Sequence, residues 1–100
     1  MQIVNQSTSF GPLSGSGPQT NTVTATFPSN ITQATAILTG FTVEFSGGND
    51  HHLGQLECDV AVTGVSGPNA SIRVRLGLRD WSGNWDDNYD GTVNFSVIGE

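Results

Sequence analysis

Residues 71–79, SIRVRLGLR, alternate without a break. Ile72, Val74, Leu76 and Leu78 fall on one parity, and Arg73, Arg75 and Arg79 on the other. A helix would repeat every 3.6 residues; a strict period of two means an antiparallel strand with one face in the core and one in water. Residues 55–63, QLECDVAVT, repeat the pattern with Leu56, Cys58, Val60 and Val62. The intervening GVSGPNA has the Gly-Pro-Asn chemistry of a hairpin loop. If Val62 pairs with Ile72, Asp59 lies opposite Arg75, and Glu57 lies diagonal to Arg75 and Arg79. All three arginines then share one polar sheet face, where cross-strand charge pairs contribute about 0.2–1 kcal/mol each.

The rest of the chain fits the same pattern. Val23, Ala25 and Phe27 alternate with Thr22, Thr24 and Thr26, and Pro28 ends that strand. Residues 33–46 form the longest strand candidate. Phe41, Val43 and Phe45 alternate in its second half, whereas its first half is apolar at both parities. Gly40 stands at the join, which implies either a bulge there or a first half buried on both faces. Residues 91–98 place Val93, Phe95 and Val97 on one face, and Gln2 to Gln6 read as a short first strand. Residues 7–19 are rich in Ser, Gly and Pro and read as a loop or a loosely attached arm. Residues 1–19 and 20–100 thus belong to one domain, an all-β, six-stranded antiparallel sandwich that buries its inward faces and leaves its outer faces polar.

Composition narrows the function classes. The 100 residues carry a net charge of −6 with three arginines and no lysine. Phosphate neutralisation needs a basic surface, so nucleic acid is not an expected partner. No apolar run approaches the roughly 20 residues of a membrane helix. The opening MQIVNQSTSF lacks a basic n-region and an apolar h-region, so no signal peptide is expected. Cys58 stands alone and cannot form an intramolecular disulfide. No G-x-S-x-G, P-loop or G-x-G-x-x-G occurs, and two histidines offer little for acid–base work; the chain is not expected to be an enzyme.

Candidate binding chemistry concentrates in Asp80 to Gly91, DWSGNWDDNYDG. Asp86, Asn88, Asp90 and Gly91 match the front half of a calcium loop, with oxygen ligands at alternate positions and then glycine. The twelfth position of an EF-hand would be Val97 rather than glutamate, which excludes that motif and leaves a looser Ca²⁺ turn as an alternative. Trp81, Trp85 and Tyr89 recur every four residues. Either they pack over the end of the sandwich, or they present flat apolar rings beside Asp and Asn acceptors. The second arrangement suits a sugar, whose C–H face stacks while its hydroxyls hydrogen-bond. His51 and His52 diverge if extended, which disfavours joint zinc chelation; either can cap a loop or line a ligand rim.

With the strands placed, TFPSNITQATAILTGFTVEF resembles an aromatic strand followed by an apolar strand of H-type lectin domains. VAVTGVSGPNASIRVRLGLRDWSGNW…TVNFSVIG is similar to their hairpin, Trp-containing loop and terminal strand. The likeness is one of layout and spans residues 20–99. It implies a six-stranded sandwich, a trimer or hexamer, and binding of N-acetylgalactosamine-type sugars. In that family a loop tryptophan, a nearby tyrosine and a strand arginine contact the sugar, which carries over to Trp81 or Trp85, Tyr89, and Arg75 or Arg79. The chain departs from the pattern in its unpaired Cys58, its Asp86, Asp87 and Asp90 cluster, and an N-terminal loop, SGSGPQTN, without an acid. The leading expectation is a non-enzymatic, oligomeric carbohydrate-binding module. The alternatives are a structural assembly or attachment module with no sugar site, and a Ca²⁺-stabilised sandwich.

Overall fold

A computed structural model describes residues 1–13, 17–46, 52–85 and 88–100. Asp50, His51, Asp86 and Asp87 lie outside the described residues. The described residues are all-β and form six strands: β1 (Gln2–Leu13), β2 (Gln19–Thr26), β3 (Ala34–Phe45), β4 (Leu53–Ser66), β5 (Asn69–Asp80) and β6 (Tyr89–Gly99). They form two three-stranded antiparallel sheets. Sheet A has the order β1-β6-β3 and sheet B the order β2-β5-β4. In the sandwich β1 faces β2, β6 faces β5 and β3 faces β4. The central strands are therefore β5 and β6, and their inward rows are the core. Ile72, Val74 and Leu76 from β5 meet Val93, Phe95 and Val97 from β6, all essentially without solvent contact.

The hairpin of β4 and β5 has the register its alternation implies: Val62 pairs with Ile72, and Asp59 lies opposite Arg75. Its connection is tighter than GVSGPNA suggests. Only Gly67 and Pro68 lie between the strands, and Gly67 takes φ +59°, as the first central residue of a two-residue hairpin turn requires.

The mixed parity of β3 resolves into a bulge. Leu38 pairs with Phe95 and Gly40 with Asn94, so Thr39 is the extra residue. That insertion shifts the parity by one. Ala34, Ala36 and Leu38 before it and Phe41, Val43 and Phe45 after it all share the core-facing side of sheet A.

Residues 7–13 are not an arm. β1 continues through them, with Ser7 opposite Asn94 and Phe10 opposite Gly91. Ser-rich composition disfavours a strand, but β6 offers a free row of backbone donors and acceptors, and pairing there outweighs propensity. Past Phe10 the register shifts at Gly11, where φ is +106° and an added Cβ would lie 2.5 Å from the Asp90 Cβ. At the opposite end the chain closes on itself. Thr32 and Gln33 donate to the Glu100 carbonyl at 2.6 and 3.1 Å, and Phe27 and Ile31 cover Gly99.

Two outcomes check this packing. Deleting Thr39 removes the extra residue and leaves Phe41, Val43 and Phe45 on the core face, so that variant keeps its cooperative urea transition, whereas deleting Thr42, which no bulge absorbs, turns Val43 and Phe45 away from the core and abolishes it. Phe95→Ala lowers the unfolding free energy by about 3–5 kcal/mol in the same measurement.

Candidate functional site

The three aromatics of the Asp80–Gly91 stretch separate. Tyr89 opens β6 on the same parity as Val93 and Phe95 and is only 1% exposed. Its hydroxyl lies 2.9 Å from the Gly17 carbonyl and 3.2 Å from that of Leu76, and donates into this pair. It ties the two sheets together and has no face to offer a ligand. Burial pushes its phenol above the usual value near 10; the charge of Glu57 adds to the rise and a backbone hydrogen bond from Gln19 offsets part of it.

Trp85 folds back onto the outer face of sheet B. The strand position beneath it is Gly77, and a Cβ there would meet the Trp85 Cζ3 and the backbone of Pro18 at 3.0 Å. The glycine removes the one side chain that would hold the indole off the sheet. The guanidinium of Arg79 lies 5.7 Å from the Trp85 ring centroid, within cation–π range. Arg79 is itself held, with Nε and Nη2 donating to Gln55 Oε1 at 3.2 and 2.9 Å and Nη1 to the Asp80 carbonyl at 3.2 Å. Gln55 in turn donates to Glu57 at 2.8 Å. A chain of contacts, Glu57 to Gln55 to Arg79 to Trp85, therefore fixes a half-buried indole on a strand surface.

Trp81 sits beyond the end of β5 and is 75% exposed. Its backbone N–H donates to the His52 carbonyl at 3.0 Å, and its ring meets His52 edge-on at 5.6 Å between centroids. His52 thus braces the exposed indole. Asp80 is a turn residue: its carboxylate accepts from the Ser82 backbone N–H at 2.9 Å and from the Ser82 hydroxyl, as an Asx turn does.

The arginines divide their work. Arg73 takes Asp59 at 3.2 Å in a half-exposed ion pair, in place of the Arg75–Asp59 pair that the register alone suggests. Among the described residues the Arg75 side chain makes neither an ion pair nor a hydrogen bond. It is two positions from Gly77 on the same face, which puts an unengaged donor beside the Trp85 platform.

Asp90 and Asn88 do not join this face. Asp90 points from β6 to the outer face of sheet A, directly opposite Glu44, with the Ser46 hydroxyl 3.4 Å from its carboxylate. Asn88 is exposed, and its carbonyl accepts from the Ser46 N–H at 2.9 Å. A shallow groove bordered by Ser9, Thr42, Glu44, Asp90 and Thr92 lies there, on the opposite side of the sandwich from Trp85. The Trp85 surface of sheet B and this groove on sheet A are separate candidate surfaces. Asp86 of the Ca²⁺ alternative lies outside the described residues, and among those described no three metal-ligating side chains cluster. The Cys58 thiol is pushed up by burial and by Asp59, which leaves it a poor nucleophile near neutral pH.

Gln55, Glu57 and Gly77 were not legible as site residues. The one signal was Gly77 itself, a glycine at a polar-face position of an otherwise strict strand. Comparison with protein-family models, with curated proteins and with solved structures finds no match to the chain.

Two measurements test this geometry. Gly77→Val drives the Trp85 indole into solvent, so the intrinsic tryptophan emission shifts to longer wavelength while Trp81→Phe in the same background isolates the effect. The folded state holds the Tyr89 proton beyond the unfolded value near 10, so that contribution to stability is complete below pH 10 and is lost as pH rises through the folded value. Urea midpoints from pH 9 to pH 11.5 fall more steeply for wild type than for Tyr89→Phe.

Proposed function

We propose that the chain is a non-enzymatic carbohydrate-binding module that acts as a homo-oligomer, a trimer or a hexamer. The observation that carries this reading is the outer surface of sheet B. The Trp85 indole sits over Gly77 with Arg79 against its ring, the Arg75 side chain is unengaged two residues away, and Trp81 stands exposed beside His52. An apolar ring face bordered by guanidinium, amide and carboxylate groups matches a pyranose, which has an apolar C–H face and a rim of hydroxyls. The layout resemblance to H-type lectins points the same way and makes N-acetylgalactosamine-type sugars the first probes. Of the residues named from sequence, Trp81, Trp85, Arg75, Arg79 and His52 belong to this reading, and Tyr89, Asn88 and Asp90 do not.

One shallow sugar site binds weakly. Several sites on one assembly raise avidity by about 10²–10⁴ without a new contact, which is why oligomerisation belongs to the proposal. A second reading, an assembly module without a ligand, is favoured by a different observation: Leu38, Phe41 and Leu56 face inward yet are each 38–39% exposed.

A glycan array separates the two. The wild-type protein retains N-acetylhexosamine-type glycans, and Trp85→Ala and Trp81→Ala each weaken retention at least about tenfold, the loss of roughly one stacking contact. Trp81 is exposed, so Trp81→Ala keeps the wild-type melting temperature and its loss of retention is not a folding effect. Absence of any retained glycan with wild type at millimolar sugar would eliminate the carbohydrate reading and leave the assembly module.

A further inference from the structure

The Tyr89 hydroxyl does more at its end of the sandwich than core packing needs. Phenylalanine would fill the same space with no polar atom to bury, whereas a buried phenol has to find partners. Tyr89 is 1% exposed, and its oxygen lies 2.9 Å from the Gly17 carbonyl and 3.2 Å from the Leu76 carbonyl. A backbone hydrogen bond from Gln19 reaches the same oxygen. The side chain starts on β6 in sheet A, and its partners lie in strands of sheet B or immediately before one.

The choice of partners is specific. Gly17 and Gln19 bracket Pro18, and Leu76 directly precedes Gly77. Pro18 and Gly77 meet where the Trp85 ring sits: a Cβ on Gly77 would lie 3.0 Å from the Cα and Cβ of Pro18 and 3.0 Å from the Trp85 Cζ3. Gly17 borders the same ring, since a Cβ there would lie 4.0 Å from the Trp85 Cγ. Successive residues of a strand point to opposite faces. At the step from Leu76 to Gly77, sheet B therefore carries the Tyr89 hydroxyl on its inner side and the Trp85 indole on its outer side.

The segment under the indole is not held by the sheet itself. The ladder between β2 and β5 begins at Gln19 opposite Leu76, so Gly17 and Pro18 lie beyond it. Pro18 has no backbone N–H with which to extend the ladder. Gly17 takes φ +76°, a conformation open to glycine, so the backbone there has more freedom to lose than at other residues. The hydroxyl of Tyr89 supplies at Gly17 the restraint that the ladder does not.

We infer that Tyr89 is a positioning residue for the Trp85 surface: its hydroxyl holds Gly17 and Pro18 against β5, and these two residues keep the indole over Gly77. Tyr89 itself touches no ligand. The inference rests on the proposed sugar surface for its functional meaning, but its first readout is the order of the indole, which is measured without any sugar.

The test uses Tyr89→Phe, which keeps the buried ring and removes the hydroxyl. In a Trp81→Phe background Trp85 is the one remaining tryptophan. There, acrylamide quenching of the indole rises at least about twofold in Tyr89→Phe and the emission moves to longer wavelength, because the segment beneath the ring opens locally. Pro18→Gly, which leaves the hydroxyl in place, gives the same change. The double variant exceeds neither single variant, as expected of residues that act through one shared contact. Val97→Ala truncates a fully buried side chain toward the other end of β6; it lowers the urea midpoint and leaves the quenching at the wild-type value. With Trp81 restored, Tyr89→Phe weakens retention of N-acetylhexosamine-type glycans about two- to tenfold, the range expected when a ligand must order the side chain it stacks on. Unchanged quenching in Tyr89→Phe or in Pro18→Gly, an equal rise in Val97→Ala, or a loosened indole with undiminished glycan retention overturns the inference. If the wild type retains no glycan, the carbohydrate reading falls, and the quenching series by itself still decides whether Tyr89 positions Trp85.

Discussion

The inward rows of β5 and β6 hold this domain together. Each sheet contributes one central strand, and only those two strands have neighbours on both sides and a sheet across from them. Burying a side chain such as Ile72, Leu76 or Phe95 stabilises by about 1.5–3 kcal/mol. The outer strands add less, because their inward side chains are half open. Every feature of the candidate site is placed by the rows at the centre. Gly77 and Arg79 face outward because Leu76 and Leu78 face inward, and Tyr89 is buried because it shares its parity with Val93 and Phe95.

That dependence explains what could be read from the sequence. Strict alternation in 55–63 and 71–79 determines both strands and, with a tight connection between them, their register. In β3 the alternation breaks at Thr39, and the insertion left a readable trace because apolar residues occupy the core-facing positions on both sides of it. β1 beyond Gln6 left no trace. Ser7, Ser9, Gly11 and Pro12 have no strand preference of their own, and what orders them is the unpaired side of β6, a partner more than 80 residues away along the chain. The site was half legible for the same reason. Trp81, Trp85 and Tyr89 look alike in a list of residues, but one follows a strand, one folds back over a glycine and one begins a strand. Extending the parity of Val93 back to position 89 places Tyr89 in the core; ending the strand at Gly91 hid it.

Charge is distributed by the same topology. The three arginines occupy alternate positions of β5, so all the basic side chains of an acidic protein emerge on one sheet face. Two of them are engaged, Arg73 by Asp59 and Arg79 by Gln55, Asp80 and Trp85. The acids opposite them keep the face near neutrality, which suits an uncharged ligand better than an anion. Glu44 and Asp90, adjacent on the outer face of sheet A, have no arginine near them in the register, and that side of the molecule presents acid and hydroxyl groups instead.

The two tryptophans of the proposed sugar surface are held to different degrees, and this bears on how each would contribute. Immobilising a side chain on binding costs about 0.5–1.5 kcal/mol. Trp85 has met part of that cost on folding, since its ring sits over Gly77 with Arg79 against it. Trp81 is restrained only by its edge contact with His52 and keeps most of its surface in water. A sugar stacked on Trp85 gains the contact without ordering the platform; one that engages Trp81 must order it as well. In the proposed carbohydrate reading Trp85 would therefore be the stronger anchor per contact, and Trp81 the one whose contribution would grow with the size of the ligand, because a longer glycan that spanned both rings would distribute a single ordering cost over more contacts.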